Sequence, residues 1–354
     1  MSLSKRTILG IAAAAVLAMA LGAGFWVYQG LKGLKQPMPV AETQLFEVPA
    51  GSSFSAVATN MQKRGWIKHP LWLKLHARLN PEDSLVKAGT YEVSPGMTPL
   101  ALVDAMIAGR VKTWSIQFIE GWTFRDMRAE LARNERLEQV TSNWSDQEIM
   151  TALGYPDQYP EGRFFPDTYH YTNRQADLEI LRRAYKRMKQ VLSEEWEGRA
   201  KSLPYDSPYE ALIMASIVEK ETGLPSERAQ IAGVFVRRLE KGMRLQTDPT
   251  VIYGMGERYQ GNIRRQDLKE KTPYNTYRIS GLPPTPIAMP GQGAIHAALH
   301  PDDGKALYFV ARGDGSHIFS ETFQEHRQAV RRFQIRNRRQ DYQSAPPAES
   351  GESQ

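Results

Sequence analysis

The sequence predicts an α+β protein built from three parts: a single N-terminal transmembrane helix, a small strand–helix–helix–strand module and a mixed α/β domain. An uncharged apolar run near the N-terminus predicts the helix, and the order of strand and helix patterns in residues 45–108 predicts the module. The chain has 354 residues, of which 41% are hydrophobic, so it can also build the core of a larger domain. This composition excludes a disordered chain, a collagen and a polytopic membrane protein.

The first element is the apolar run Thr7–Tyr28, which contains 22 residues and no charge. As a helix at about 1.5 Å per residue it spans roughly 33 Å, enough to cross the hydrocarbon core of a bilayer. Trp26 and Tyr28 lie where aromatic residues contact the membrane interface. The alternative is a cleaved signal peptide with its site at Ala18–Ala20, but the apolar region of a signal runs only about 7–15 residues. We therefore expect an uncleaved anchor over residues 7–28.

The residues that flank this helix predict its orientation. Residues 1–6 form a short stub that ends in the basic pair Lys5 and Arg6, which favours a cytoplasmic N-terminus and places the rest of the chain outside. Basic residues also follow the helix, so the charge asymmetry is weak. Residues 29–44 are interrupted by Gly and Pro and predict a linker that holds the next part away from the membrane.

Residues 45–108 predict a compact module. Its expected elements are the strand Leu45–Val48, the helices Phe54–Arg64 and Pro70–Leu79, the strand Gly89–Val93 and the helix Pro99–Ala108. Apolar residues recur at helical spacing in the first helix, and a proline opens the second. The order strand–helix–helix–strand resembles a LysM module, and this resemblance implies peptidoglycan binding.

Residues 109–340 predict the mixed α/β domain, and the polar residues 341–354 predict a disordered tail. The expected elements are the strands Ser115–Ile119 and Ala306–Ala311 and the helices Phe124–Asn134, Leu178–Glu197, Pro208–Thr222, Glu227–Gly242 and Thr322–Arg339, with a further helix from Ala294. Residues 243–293 are rich in Gly, Pro, Tyr and Asn. A long loop-rich segment inside a domain is often functional, so we expect part of the site there.

Residue types exclude several kinds of chemistry. The chain has no cysteine, which excludes thiol nucleophiles, disulfides and Cys-ligated zinc. It has no Gly-rich phosphate loop and no G-x-S-x-G motif, and no cofactor is expected. His296 and His300 are four residues apart, but no acidic ligand accompanies them on that helix face, so no metal is expected. The net charge is only +6, and the arginines of residues 327–339 predict a solvated helix face rather than a nucleic-acid partner.

Carboxylates remain as candidate catalytic groups. The helix predicted over Glu210–Thr222 places one of them among apolar side chains, which is unusual for a charged residue. At about 100° per residue, one apolar stripe is formed by Ile213, Met214, Ile217 and Val218. Glu221 falls in the middle of this stripe, whereas Glu219 falls on the opposite side. Desolvation among apolar side chains raises the pKa of a carboxyl group, as a general acid near neutral pH requires. The alternative is that Glu221 extends past the stripe to water or pairs with an arginine.

Two loop segments supply groups that could bind a sugar. Arg244–Gly256 and Thr272–Pro284 combine amides, hydroxyls and tyrosine rings, which can hydrogen-bond sugar hydroxyls and stack on pyranose faces. Each of these residues taken singly is also an ordinary turn or cap residue. As a set within forty residues they favour a glycan site.

Several longer motifs resemble the endolytic murein transglycosylases, the YceG-like family. The motifs are Glu161–Tyr169 (EGRFFPDTY), Ile217–Thr222 (IVEKET), Arg244–Tyr253 (RLQTDPTVIY), Tyr274–Tyr277 (YNTY) and Gly281–Pro284 (GLPP). In that family the catalytic acid is the second glutamate of the E-K-E triplet, which is Glu221 here. The expected substrate-binding residues are Glu161, Gln246, Thr247, Asp248, Tyr253, Tyr274, Asn275, Thr276 and Tyr277.

This resemblance implies a bacterial inner-membrane enzyme with a periplasmic catalytic domain. It implies cleavage of the β-1,4 bond between N-acetylmuramic acid and N-acetylglucosamine within nascent peptidoglycan strands, leaving 1,6-anhydro ends and helping to terminate elongation. Peptidoglycan strands are the expected partner, together with the membrane, and peptidoglycan synthases (penicillin-binding proteins) are a candidate partner. Two alternatives stay open: a lysozyme-like hydrolase with Asp248 or Glu219 as second carboxylate, and a non-catalytic, membrane-anchored peptidoglycan-binding protein.

Overall fold

The computed structural model describes residues 5–336 and shows a mixed α/β protein with one long apolar helix at its start. This helix, α1, covers Lys5–Gly33, and its segment Leu9–Gly33 is long and apolar enough to cross a membrane. It ends five residues after the predicted end at Tyr28, inside the expected linker. The predicted tail at residues 341–354 and the first four residues of the predicted stub lie outside the described residues.

The described residues divide into two compact units, and the first comprises residues 5–114 and 170–174. Its remaining elements are β1 (Gln44–Val48), α2 (Phe54–Lys63), α3 (Pro70–Leu79), β2 (Gly89–Val93) and α4 (Pro99–Ala108). The two strands pair antiparallel, with Gln44 opposite Val93 and Val48 opposite Gly89. The predicted order of strands and helices is therefore confirmed, while a LysM identity stays a prediction.

The core of the first unit is apolar and includes the end of α1. Its largest buried side chains are Phe46, Met61, Leu73, Tyr91, Leu102 and Met106. Trp26 of α1 packs edge-on against Trp72 of α3, with ring centroids 4.5 Å apart. One turn later, a Cβ on Gly30 would lie only 2.1 Å from the Trp72 indole, so glycine is required for this close approach.

The second unit comprises residues 115–169 and 175–336. The strands assigned to this part of the chain are β3 (Trp114–Gln117), β4 (Thr168–Tyr171), β5 (Tyr308–Ala311) and β6 (His317–Ser320). Its helices are α5 (Phe124–Arg133), α6 (Asp146–Leu153), α7 (Asp177–Glu197), α8 (Pro208–Glu221), α9 (Arg228–Glu240), α10 (Asp248–Met255), α11 (Gln292–Leu299) and α12 (Phe323–Val330). Strands β5 and β6 form an antiparallel hairpin.

Helix α8 is the central element of the second unit. Every residue from Ala211 to Val218 is buried, and α7, α9, α10 and α11 all pack against this helix. Ser207 caps its start by accepting the N–H of Glu210, and Pro208 occupies the first turn. The helix ends at Glu221, so its last turn carries both glutamates of the E-K-E triplet.

Several elements differ from the sequence-based expectation. Helices α6 and α10 and the strand β6 were not predicted, and α10 lies within the segment expected to be loop-rich. The last helix was expected to run from Thr322 to Arg339. In the structure α12 ends at Val330 and a π-helical segment follows over Arg331–Arg336, where the described residues end.

Candidate active site

A cleft of about 850 Å³ lies within the second unit and opens at the C-terminal end of α8. Its lining includes Glu219–Gly223, residues 245–248 and Tyr277. It also includes Arg238, residues of the hairpin β5–β6 and residues of α12. This volume lies within the range of ligand-binding clefts, and its lining mixes carboxylates, hydroxyls and aromatic rings.

Glu221 is the last residue of α8 and lines the cleft. It accepts a short hydrogen bond from the Thr247 hydroxyl. Burial raises the pKa of Glu221 to about 7; the Thr247 hydrogen bond lowers it, the charge of Asp248 raises it and the charge of Arg238 lowers it. A carboxyl group with this pKa is present in both protonation states near neutral pH and can therefore give and take a proton.

Thr247 is held in place by a buried network of hydroxyl groups. Its N–H donates to the Thr276 hydroxyl at 3.0 Å, and that hydroxyl also lies 2.8 Å from the hydroxyl of Thr250. Both Thr247 and Thr276 are buried. The preceding residue, Gln246, has a φ of 52°, a left-handed backbone that non-glycine residues seldom adopt. The network thus fixes the hydroxyl that contacts Glu221.

Three further predicted residues present polar groups to the cleft. Gln246 and Asp248 are exposed and line it, as does Tyr277. The Tyr277 hydroxyl donates to Asp248 Oδ1 at 2.7 Å. These groups can hydrogen-bond a sugar, and the tyrosine ring can stack on one face of it. Because they are close in sequence to Thr247 and Thr276, the same two loops supply both the support for Glu221 and the groups around it.

Glu219 has different hydrogen-bond partners from Glu221, but its carboxyl group is buried as well. Its side chain is only 6% exposed, and it accepts hydrogen bonds from the Gly291 N–H at 3.0 Å and from Arg228 at 3.4 Å. Burial raises its pKa, while the Gly291 N–H and the Arg228 charge lower it. The Glu219 carboxylate therefore already has partners within the protein, although the residue also lines the cleft.

Glu161, Tyr253 and Tyr274 lie outside the residues that line this cleft. Glu161 is 4% exposed and accepts hydrogen bonds from the Phe124 N–H at 3.0 Å and from the Tyr253 hydroxyl at 3.1 Å. Burial raises its pKa to about 7. The Tyr253 and Tyr274 rings pack edge to face at 4.8 Å, and the Tyr274 hydroxyl bonds to Thr285. Contact of these residues with a substrate stays a prediction.

Asn275 and Thr276 are almost fully buried and do not line the cleft. The Asn275 amide donates to the carbonyl groups of Asp267 at 3.1 Å and Glu270 at 2.7 Å, and its oxygen accepts the Tyr277 N–H at 3.0 Å. The hydrogen-bonding groups of Asn275 are thus occupied by its own loop. This geometry fits a structural role that holds Tyr277 at the cleft.

Three further residues of the cleft lining, Arg238, Tyr308 and His326, were not predicted from the sequence. Arg238 of α9 is 7% exposed, donates to the carbonyl groups of Leu307 and Leu245, and lies over the Tyr308 ring at 5.1 Å. The Tyr308 ring stacks on His326 of α12 with centroids 5.2 Å apart. Arg238 is one of three arginines in α9, so its charge alone did not mark it, and no local pattern marks Tyr308 or His326.

An acidic side chain lies near His296 and His300, but it comes from another helix and not from the helix face that carries the histidines. Glu195 of α7 lies beside them, and His296 Nδ1 is 2.8 Å from Glu195 Oε2. The sequence could not show this, because the glutamate comes from a helix about a hundred residues earlier. These three residues do not line the cleft.

Comparison with known proteins places the chain among relatives of one kind. The model of the YceG-like family matches residues 46–332. An endolytic murein transglycosylase of Bacillus subtilis is 31% identical over 303 residues, covering 81% of this chain and 83% of that protein. One of Streptococcus pneumoniae D39 is 26% identical, covering 83% of this chain and 59% of its own length.

A solved structure gives the same result. The crystal structure of a YceG-like protein from Listeria monocytogenes, determined at 2.6 Å, shares 30% sequence identity with this chain. The match has a TM-score of 0.54 and covers 81% of this chain and 99% of the Listeria chain. Since the family model spans most of the sequence, from the first strand to the last described helix, this chain belongs to the YceG-like family.

Proposed function

We propose that this chain is an endolytic murein transglycosylase, a lyase that cuts the glycan strands of peptidoglycan. The names of the Bacillus and Streptococcus relatives and the family membership support this activity. The observation that carries the proposal is the Glu221 carboxyl group, which lies at the end of a buried helix, lines a cleft and has its pKa raised to about 7.

The proposed reaction uses Glu221 as both acid and base. The protonated carboxyl donates its proton to the glycosidic oxygen between N-acetylmuramic acid and N-acetylglucosamine, and that C1–O bond breaks. The resulting carboxylate takes the proton of the muramyl C6 hydroxyl, whose oxygen attacks C1 and closes a 1,6-anhydro ring. No water is consumed, and Glu221 is protonated again at the end. A tethered nucleophile has a high effective concentration, so a second carboxylate is not required.

The cleft geometry supports a different proposed role for each group of predicted binding residues. Gln246, Asp248 and Tyr277 are proposed to contact the sugar, since they line the cleft beside Glu221. Thr247 is proposed to position the Glu221 carboxyl group through its short hydrogen bond. Asn275 and Thr276 are proposed to act indirectly, by fixing these loops.

The lysozyme-like alternative requires a second carboxylate that can act as nucleophile or base. Asp248 is exposed at the cleft and bonds only to Tyr277 among the described contacts, so it is the residue on which this alternative depends. Glu219 is less suited to that role because Arg228 and the Gly291 N–H already bind its carboxylate. A hydrolase of this kind would add water and leave reducing ends.

Product analysis tests the proposal. Purified murein sacculi are digested with the full-length protein in detergent, and the muropeptides are separated and weighed. We expect fragments with 1,6-anhydro ends, each lighter by one water molecule than the corresponding reducing-end product. Reducing ends would support the hydrolase, and the absence of any new product from folded protein would support a non-catalytic binding protein.

Finer features of the proposal concern location and targeting. We propose that α1 anchors the protein in the inner membrane with its N-terminus in the cytoplasm and the second unit in the periplasm, which the uncharged helix and its basic start support. We propose that β1, α2, α3 and β2 act as a LysM-like peptidoglycan-binding module. Cleavage within nascent strands would then end their elongation near the membrane, where peptidoglycan synthases are candidate partners.

A further inference from the structure

We propose that Glu195, His296 and His300 form a binding site for a divalent transition metal of the zinc class. The site lies on α7 and at the end of α11, within the second unit and outside the cleft. One ligand atom from each of the three side chains can be chosen so that all three lie within 4.8 Å of one another.

The two histidines form a pair at the C-terminal end of α11. His296 lies in the last turn of this helix, and His300 follows its last residue, Leu299. Their rings stack with centroids 4.3 Å apart and an angle of 25° between the planes. Two imidazoles at this spacing can bind one metal ion together, and nitrogen ligands of this kind suit Zn²⁺, Ni²⁺ and Cu²⁺.

Glu195 supplies the anionic ligand from a second helix. Its Oε2 lies 2.8 Å from His296 Nδ1, and its Oε1 accepts a hydrogen bond from the Gln292 amide at 3.1 Å. The Glu195 side chain is 14% exposed while that of His296 is 58% exposed, so the carboxylate is held in place and the site is open to solvent. The Gln292 contact also orients the carboxylate, as groups behind a metal ligand commonly do.

Small side-chain movements complete the coordination geometry. Zn–N and Zn–O bonds are about 2.0–2.2 Å long. The ligand atoms of one zinc ion therefore lie closer together than the separation of up to 4.8 Å between the three atoms in this structure. The metal would lie where His296 and Glu195 now share a hydrogen bond, and His300 would turn toward it. Three protein ligands leave a fourth position for water.

The alternative is a plain ion pair between His296 and Glu195, and it differs from the metal site in its use of His300. An ion pair needs only two residues and gives His300 no part in binding. A metal site needs all three residues and links α7 to α11, which itself packs on α8. Binding would therefore stabilise the folded second unit by an amount that grows with the logarithm of the metal concentration once this exceeds the dissociation constant.

The test uses full-length protein in detergent, purified through an affinity tag that contains no histidine. The protein is titrated with Zn²⁺ by calorimetry, and its melting temperature is followed in parallel. We expect one Zn²⁺ per chain and a melting temperature that rises as the Zn²⁺ concentration is raised above the dissociation constant. Mg²⁺ should produce neither effect, because it prefers an octahedral set of oxygen ligands.

Variants separate the two explanations. His300→Ala and Glu195→Gln should each weaken Zn²⁺ binding at least about tenfold and shift the rise in melting temperature to correspondingly higher Zn²⁺ concentration, since each replaces one of three ligands. His69→Ala, which changes an exposed histidine in the first unit, should bind like the wild type. Circular dichroism confirms that each variant is folded. Absence of Zn²⁺ binding by the wild type, or equal affinity in the folded His300→Ala variant, would overturn the proposal.

Discussion

The surroundings of Glu221 explain how one carboxyl group can serve both steps of the proposed reaction. Packing at the end of α8 removes water from the carboxyl group and raises its pKa to about 7, while the Thr247 hydroxyl partly offsets this effect. A carboxyl group with an ordinary pKa would be almost fully ionised at neutral pH and could not donate a proton. The same environment must also destabilise the folded protein when Glu221 is ionised.

Because ionised Glu221 destabilises the folded protein, we expect Glu221→Gln to increase stability in a pH-dependent way. The pKa of Glu221 in the folded state lies above its ordinary value of 4.5. The favourable contribution of this carboxyl group to stability is therefore complete below pH 4.5 and is lost as pH rises through about 7. The full shift corresponds to about 3 kcal/mol, and partial exposure reduces the expected effect to about 1–2 kcal/mol. Glutamine stays neutral, so the variant should be more stable than the wild type at pH 8.

Urea unfolding of both proteins at several pH values measures this difference. The curves should converge near pH 4.5 and separate as pH rises through about 7. Glu161 and Glu219 also have raised pKa values, but they are present in both proteins and cancel in the comparison. An equal free energy of unfolding for both proteins at pH 4.5 and pH 8 would show that Glu221 is not desolvated.

At the scale of single residues, the sequence could predict the position of Glu221 on its helix. It could not predict the hydrogen-bond partners of Glu219 and Asn275. Helical periodicity separates Glu221 from Glu219, because both lie on one continuous helix. It does not reveal that α8 is buried on all sides, nor that Arg228 and Gly291 bind Glu219. Likewise, an asparagine suits both a sugar site and a turn, and only the structure shows that the Asn275 amide is occupied within its loop.

At the level of secondary structure, the sequence predicts the bounds of a helix best where a proline begins the helix or a glycine ends it. Helices α3 and α4 have the predicted bounds, since a proline opens each of them and Gly109, with a φ of 72°, ends the second. Helix α6 was missed although Ser145 and Glu148 form a capping box before it. Helix α10 and strand β6 are short and lie among turn residues, so their periodic patterns are too brief to recognise.

The two loops beside α8 lead to a prediction that separates structural from binding residues. Asn275→Ala leaves the buried carbonyl group of Asp267 and the partly buried carbonyl group of Glu270 without their donor, so we expect it to lower the free energy of unfolding by about 1–3 kcal/mol. Tyr277→Phe removes a hydroxyl at the open cleft. We expect it to leave the melting temperature nearly unchanged and to reduce the rate of murein digestion.

The melting temperatures and murein digestion rates of Asn275→Ala and Tyr277→Phe are measured and compared with those of the wild type. Gln246→Ala is a further variant, at the exposed edge of the cleft. The Asn275→Ala loop is expected to be looser, so its activity should fall together with its stability. If Asn275→Ala kept the wild-type melting temperature but lost activity, Asn275 would contact the substrate directly and the structural interpretation would be wrong.

At the scale of the whole molecule, a helix that is apolar enough to cross a membrane is continuous with a folded unit. Helix α1 runs without interruption over Lys5–Gly33, and Trp26 and Gly30 near its end pack on Trp72. The sequence predicted the apolar segment from its length and lack of charge. It did not predict the continuation to Gly33, because Gly and Pro after Tyr28 indicated a linker, whereas Gly30 is required by the tertiary contact with Trp72.

This arrangement predicts that α1 is retained in the mature protein. We expect full-length protein to remain in the membrane fraction after washing with high salt and to keep its original N-terminus. Deletion of residues 2–24 is the matched control, because it removes the apolar segment but keeps Trp26 and Gly30 for packing on Trp72; this variant should be released from the membrane. A mature chain that begins near Leu21 would instead identify a cleaved signal peptide.

The central claim is that Glu221, and not Glu219, is the acid and base of a murein transglycosylase. Digestion of purified sacculi, scored by the yield of 1,6-anhydro muropeptides, compares the wild type with Glu221→Gln and Glu219→Gln at matched circular dichroism. We predict that Glu221→Gln lowers the rate about 10²–10⁴-fold, because glutamine cannot transfer a proton, and that Glu219→Gln costs much less. Equal losses in both variants, or a larger loss for Glu219→Gln, would contradict this assignment.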